Sequence, residues 1–124
     1  MTERPIKIPG PDHPISIEKS GKTWRATYKG HVIAETANAL VMRETTYPPV
    51  AYFPRKDVNM ELLARTDHHT YCPYKGEASY YSLSVDGAKE ENAVWTYEEP
   101  YEAVKDIRER LAFYANKLDE VGEI

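Results

Sequence analysis

The sequence has very little cysteine and no long apolar stretch, and both shortages limit what the protein can be. Cys72 is the single cysteine among 124 residues, which excludes an internal disulfide and a structural zinc site built on several thiolates. No apolar run approaches the roughly 20 residues that a membrane-spanning helix needs. Residues 1–15 also lack the charged-then-apolar order of a secretory signal. We therefore expect a cytoplasmic protein with no membrane partner.

The composition is that of an ordinary globular protein with a modest excess of negative charge. Hydrophobic residues make up 41% of the chain and charged residues 29%, which excludes wholesale disorder, collagen-like sequence and coiled coils. A net charge of −4 gives no general attraction to a nucleic acid, so no nucleic-acid partner is expected. Residues 1–85 carry a charge of +2 and residues 86–124 carry −6, which we interpret as a solvated acidic face near the C-terminus.

Four prolines, Pro5, Pro9, Pro11 and Pro14, crowd the first segment of the chain. Proline fixes its own φ angle and has no amide donor, so this segment suits neither a helix nor a central strand. We therefore predict a proline-rich N-terminal arm over residues 1–14. A single globular domain over residues 15–124 has the length that is usual for one domain.

Short segments rich in β-branched and aromatic residues, separated by turn residues, predict a series of antiparallel strands. In the string TWRATY, residues 23–28, alternation predicts a strand with one buried face. A further strand is predicted at Leu40–Glu44, and Asp86 with Gly87 predicts a hairpin turn. After the string AYFP, Asp57 is placed to cap a short helical turn. The pattern indicates about seven strands.

The C-terminal part of the chain predicts one long helix. Its apolar residues recur at spacings of three and four, as on the buried face of a helix. Pro100 is suited to open this helix and Gly122 to close it. The residues of the apolar stripe are Val104, Ile107, Leu111, Tyr114, Leu118 and Val121.

Aromatic and cationic side chains concentrate in the middle of the chain, and three strings there are distinctive. They are YFPRKDV at residues 52–58, TYCPYKGEASYYSL at residues 70–83 and ENAVWTY at residues 91–97. In this order they resemble the signature segments of the domain of unknown function 427 family, a group of small bacterial and fungal domains. The resemblance extends from about residue 15 to residue 114. No activity is established for that family, so the resemblance indicates candidate positions without indicating a reaction.

The same resemblance implies a fold, the β-tent, in which two antiparallel sheets meet roughly at right angles. Combined with the patterns above, the predicted fold class is mainly β, or α+β by strict counting. It has about seven strands in a β-tent-like arrangement and one long C-terminal helix. Domains with that fold commonly hold zinc through paired cysteines, which this sequence lacks, so neither a metal nor a cofactor is expected.

The leading functional hypothesis is a domain that binds a small polar or anionic ligand of unknown identity in an aromatic and cationic cleft. We also expect Arg55 to stack on Trp95, because the large rings of ENAVWTY need a cover on the sheet face turned away from the helix. Asp57 could contact the ligand or could cap a helical turn. Glu91 could contact the ligand or could form an ion pair with Arg55. The candidate ligand-binding residues are Tyr52, Arg55, Asp57, Tyr71, Lys75, Tyr80, Glu91 and Trp95.

The alternative hypothesis is an enzyme that uses Cys72 as a nucleophile or redox centre. His68 is the predicted base because it shares a strand face with Cys72, and Lys75 or Arg55 would stabilise developing negative charge. Free cysteine is also among the residues most often buried, so a purely structural thiol remains open. A third hypothesis is an interaction module that uses the arm and the acidic face. The sequence leaves the oligomeric state open.

Overall fold

The structure is a computed structural model that describes residues 4–124, and it is mainly β. Its ten strands are β1 (Ile15–Lys19), β2 (Trp24–Tyr28), β3 (His31–Thr36), β4 (Leu40–Glu44), β5 (Val50–Tyr52), β6 (Leu63–Cys72), β7 (Gly76–Val85), β8 (Ala88–Thr96), β9 (Leu111–Phe113) and β10 (Glu120–Glu123). Short 3₁₀ turns occupy Arg55–Asp57, Met60–Leu62, Glu102–Ile107 and Ala115–Lys117.

The strands form three antiparallel sheets, with the orders β1-β4-β5, β10-β2-β3 and β6-β7-β8-β9. The four-stranded sheet lies at the centre, and its strand β7 is buried on both faces. Tyr81 and Val94 pair across β7 and β8 and belong to a core shared with β2 and β3. Their neighbours Tyr80 and Trp95 pair in the same way, but they belong to a second core shared with β1, β4 and β5. Because adjacent strand residues face opposite ways, the central sheet separates two hydrophobic cores.

The sheet β1-β4-β5 is joined to the central sheet through a backbone bridge. The amide of Phe53 donates to the carbonyl of Leu111 at 2.8 Å, and the amide of Leu111 donates to the carbonyl of Phe53 at 2.9 Å. Both side chains are fully buried. This bridge fixes β5 beside β9, and the pairing of β4 with β5 connects the sheet β1-β4-β5 to the central sheet.

The predicted long C-terminal helix is wrong. Residues 102–123 form two 3₁₀ turns and the strands β9 and β10. The chain turns sharply at Glu109, whose φ is +59°, and the next residues then pair with β8. Val104, Ile107, Leu111 and Leu118 are nevertheless buried, so the apolar spacing identified core positions correctly. Strand pairing with β8 and β2 satisfies the backbone of this segment in place of a helix.

The predicted fold class is therefore also wrong, since the structure has ten strands in three sheets rather than about seven strands in two sheets with a helix. The unpredicted strands are the three short ones, β5, β9 and β10. The strand at Leu40–Glu44 is confirmed, and so is the turn at Asp86 and Gly87, which have φ values of +48° and +84°. Asp57 caps no turn. Across residues 4–124, no helix is long and apolar enough to cross a membrane.

The described part of the N-terminal arm, residues 4–14, lies against the turn between β6 and β7. The amide of Lys7 donates to the carbonyl of Pro73 at 3.0 Å, and the hydroxyl of Tyr71 donates to the carbonyl of Pro5 at 2.6 Å. Residues 1–3 of the predicted arm lie outside the described residues. His13, near the end of the arm, lies beside Glu44 at the end of β4.

Candidate functional site

A cavity of about 770 Å³ lies where β4, β5 and the turn between β6 and β7 meet the end of β8 and the segment after β9. We call it the main cavity. One end of it is polar, with His13, Glu44 and Lys75 in its wall, and the remainder is mostly aromatic and aliphatic. Its apolar lining includes Trp24, Met42, Val50, Tyr52, Trp95, Phe113 and Tyr114.

Strand β4 places Glu44 in this cavity. Met42 and Glu44 are two residues apart and therefore face the same side of the strand, where Met42 is part of the core. Glu44 pairs with Ile15 of β1, and the amide of Thr45 donates to the carbonyl of Pro14 at 2.9 Å. This register brings His13, the residue just before Pro14, next to the Glu44 side chain.

The turn between β6 and β7 places Lys75 opposite Glu44. The amide of Lys75 donates to the carbonyl of Cys72 at 3.2 Å, and the carbonyl of Lys75 accepts from the amide of Tyr101 at 3.0 Å. The next residue, Gly76, has a φ of +109°, and a Cβ there would lie 3.4 Å from the carbonyl oxygen of Glu99. Only glycine adopts this conformation without strain, so Gly76 lets the chain turn tightly and directs Lys75 inward.

Glu44, Lys75 and His13 form a hydrogen-bonded group that we call the charged trio. Lys75 Nζ donates to Glu44 Oε1 at 2.7 Å, and His13 Nε2 lies 2.7 Å from Glu44 Oε2. The three side chains are only 11%, 15% and 21% exposed, in the order Glu44, Lys75 and His13. Burial alone would raise the pKa of Glu44, but the hydrogen bonds and charges of Lys75 and His13 outweigh it, so the pKa lies below its ordinary value. Glu44 is therefore ionised at neutral pH.

Aromatic side chains form the wall beside the charged trio. The indole N–H of Trp95 donates to the hydroxyl of Tyr52 at 3.4 Å, and the Trp95 ring lies 4.5 Å from the ring of Tyr114. At the polar end, the imidazole of His13 stacks on Tyr74 with the ring centres 3.9 Å apart. Burial, and more weakly the nearby Glu44 carboxylate, raises the pKa of Tyr52. Its hydroxyl therefore keeps its proton at any physiological pH.

The main cavity brings together about half of the residues proposed from the sequence. Tyr52, Tyr71, Cys72, Lys75 and Trp95 all line it. Tyr80 lies behind the wall, where its hydroxyl is 2.8 Å from that of Thr70 and 3.4 Å from that of Tyr114.

The other proposed ligand-binding residues lie away from the main cavity. Arg55 is exposed and donates to the hydroxyl of Tyr81 at 3.1 Å, with its guanidinium 5.7 Å from the centre of the Tyr81 ring. Tyr81 and Trp95 face opposite sides of the central sheet, so the predicted stacking of Arg55 on Trp95 is wrong.

Asp57 and Glu91 occupy structural and surface positions. Asp57 Oδ2 accepts a hydrogen bond of 2.6 Å from the hydroxyl of Thr36. Glu91 is 77% exposed and lies 3.9 Å from the ammonium of Lys89. An ion pair between Glu91 and Arg55, one of the two roles left open by the sequence, is not among the contacts of residues 4–124.

Cys72 and His68 line different depressions of the surface. The ring of His68 packs edge-on against Tyr80 at 4.6 Å and borders a small polar depression that also contains Lys89 and Asn92. Cys72 lines the main cavity, as does His13. The histidine that shares a cavity with the thiol is therefore His13.

Sequence reasoning assigned no role in this cavity to His13, Glu44, Trp24 or Tyr114. For Glu44 a signal was present, because a carboxylate at the end of the apolar strand LVMRE falls on the same face as Met42. No local signal connects His13 with Glu44, which is 31 positions away. Within residues 4–124, no three His, Cys, Asp or Glu side chains are grouped so as to hold a metal ion.

Comparison with known families agrees with the three distinctive strings. The model of the family described as Domain of unknown function (DUF427) matches residues 16–123, and the chain therefore belongs to that family. The resemblance noted in the sequence is confirmed. A comparison with curated proteins found no match.

Proposed function

We propose that this member of the family of domains of unknown function 427 binds a small ligand in the main cavity. The ligand has a flat ring that lies among the aromatic side chains and a polar or anionic group that meets the charged trio. One observation carries the proposal: a single cavity of about 770 Å³ combines an aromatic wall with a mostly buried, hydrogen-bonded group of charges.

The aromatic wall supports the ring-binding part of the proposal. Ligand cavities usually range from about 300 to 1,000 Å³ and have a mainly apolar lining with a few polar groups. Trp95, Tyr114 and Tyr52 offer ring faces and edges close to one another. Aromatic pairs add about 0.5–1.5 kcal/mol beyond the area that they bury, so a planar ligand gains most from this wall.

The charged trio supports the polar part of the proposal. Buried charges are costly unless they are paired, and Glu44 and Lys75 are paired at the edge of a cavity, with His13 hydrogen-bonded to Glu44. If the charged trio only stabilised the fold, apolar side chains would serve equally well, because they pack without any desolvation cost. The desolvation cost of the charged trio is offset when a ligand binds to the same groups.

The position of Cys72 makes ligand binding a stronger proposal than the enzymatic alternative. An activated thiol needs a base within hydrogen-bond reach. His68, the base predicted from the sequence, packs against Tyr80 and borders a different depression. The hydrogen bonds of His13 and Lys75 within residues 4–124 go to Glu44. We therefore assign Cys72 to the cavity wall.

Heteronuclear NMR with a library of small planar fragments tests the proposal on the full chain. We expect binders to perturb the amide resonances of residues 72–75, 50–52 and 114–116, which surround the main cavity. A blocking variant, Ala115→Trp, places a bulky ring at an exposed position of the cavity edge and should weaken these binders at least tenfold.

The matched control is Ala64→Trp, which adds the same ring at an exposed position of β6 away from the main cavity. It should leave fragment affinities within twofold of the original protein. A well-folded protein that binds no fragment, or that binds fragments equally well in both variants, would remove the proposal.

A further inference from the structure

The polar end of the main cavity contains hydrogen-bond donors that have no acceptor within residues 4–124. Both oxygens of Glu44 already accept, one from Lys75 and one from the His13 ring. The other two N–H groups of the Lys75 ammonium have no acceptor within residues 4–124. The proton of the Tyr52 hydroxyl likewise meets no acceptor there, although its oxygen accepts from Trp95.

Tyr52 is 1% exposed, so its hydroxyl proton lacks both a protein acceptor and bulk water. A mostly buried donor without an acceptor costs free energy, and a ligand oxygen in the cavity would remove that cost. The cavity therefore favours a ligand that presents hydrogen-bond acceptors.

The charges of the lining limit the charge of that ligand. Among the described residues that line the main cavity, Lys75 is the only lysine or arginine and Glu44 is the only aspartate or glutamate. One negative charge on the ligand would meet the free N–H groups of the Lys75 ammonium, whereas a dianionic phosphate would bring a second negative charge close to Glu44 in a mostly buried place.

We infer that the ligand of the main cavity is a planar ring compound with a single carboxylate, whose oxygens accept from Lys75 and Tyr52 while the ring lies against Trp95 and Tyr114. This inference rests on the proposed function and adds the chemical class of the ligand. A carboxylate forms charge-assisted hydrogen bonds with an ammonium and a phenol, and these are stronger than bonds between neutral groups.

Three naphthalene probes that share one ring system test the inference. They are 2-naphthoate, the neutral 2-naphthamide and 2-naphthyl phosphate, each titrated into the full chain at pH 7 and followed by amide chemical shifts. We expect naphthoate to bind about tenfold or more tightly than either of the other two. The shared ring keeps the aromatic contribution constant, so the differences report on the polar group.

Two variants connect the preference with named residues. Lys75→Met combined with Glu44→Gln removes both charges without leaving either one unpaired, and it should reduce the preference for naphthoate over naphthamide to less than threefold. Tyr52→Phe removes only the hydroxyl and should weaken naphthoate more than naphthamide, because the hydrogen bond to the carboxylate is the charge-assisted one. The second variant keeps the test decisive if the first one folds poorly.

The possible results separate the inference from the proposed function. Three results would overturn the inference: equal binding of naphthoate and naphthamide, tightest binding of the phosphate, or an unchanged preference in both variants. The proposal that the cavity binds a planar ring would still stand. If no naphthalene probe binds while other fragments still occupy the cavity, the inference alone fails. If the fragment library also fails to bind, the proposed function fails with it.

Discussion

Lys75 donates a hydrogen bond of 2.7 Å to Glu44, and both side chains are less than one-sixth exposed. The pair joins the turn between β6 and β7 to the end of β4, across 31 positions of the sequence. It thus connects the central sheet with the sheet β1-β4-β5 at the rim of the main cavity.

Removal of the Glu44 charge should destabilise the protein. Glu44→Gln leaves Lys75 without its carboxylate partner in a mostly buried place, and breaking a buried ion pair costs about 3 kcal/mol. We expect a lower midpoint of urea unfolding with an unchanged slope. A double variant, Glu44→Gln with Lys75→Met, should lose less than the two single changes added together, because it leaves no unpaired charge.

An exposed ion pair provides the control for this prediction. Glu91 and Lys89 are 77% and 61% exposed, and pairs in water contribute little. Glu91→Gln should therefore leave the urea midpoint almost unchanged. If Glu44→Gln were as harmless as Glu91→Gln, the charged trio would not connect the two sheets in the way described.

The contribution of Glu44 to the free energy of unfolding should depend on pH. The pKa of Glu44 in the folded protein lies below the ordinary value of 4.5, so the unfolded chain takes up a proton at higher pH than the folded one. The stability that Glu44 contributes is therefore complete above about pH 5 and is lost as the pH falls through its lowered pKa. We expect the difference in unfolding free energy between the original protein and Glu44→Gln to shrink from pH 6 to pH 3. A difference independent of pH would contradict this assignment.

The sequence predicted the longer strands and the buried positions better than it predicted the architecture. β2 and β4 were found because each has five residues of strand-forming composition close to turn residues. β5 and β9 have three residues each, too few for alternation to be visible. The apolar spacing after residue 104 is compatible with a helix, and only pairing with β8 and β2 decides against it.

The residues of the candidate site likewise include some that are close in sequence and others that are brought together only by the fold. Cys72 and Lys75 are close in sequence, and both line the main cavity. The partners of Lys75 come from β4 and from the arm, and no periodicity connects them with the turn. Arg55 contacts Tyr81, which is next in sequence to Tyr80, the residue that pairs with Trp95. Because adjacent strand residues face opposite ways, Arg55 and Trp95 lie on opposite sides of the sheet. That relationship depends on the register.

Gly76 should tolerate no side chain. Gly76→Ala requires a φ of +109° that alanine avoids, and its Cβ would lie 3.4 Å from the carbonyl of Glu99. Strain of this kind costs about 1–3 kcal/mol. Thermal unfolding should show the loss, and the same variant should weaken naphthoate because the turn positions Lys75. Gly122→Ala is the control, since a Cβ there meets nothing within 4 Å and its φ is not positive.

Arg55 should contribute to stability and leave ligand affinity unchanged. Arg55→Ala removes a hydrogen bond to Tyr81 and a contact with its ring, which we expect to lower the free energy of unfolding by about 1 kcal/mol. Its affinity for 2-naphthoate should stay within twofold, because Arg55 lies on the far side of the central sheet from Trp95. Lys56→Ala, an exposed change in the same 3₁₀ turn, is the control for the loss of a nearby positive charge. A tenfold loss of naphthoate affinity in Arg55→Ala, with normal stability, would instead place Arg55 in the ligand site as the sequence first indicated.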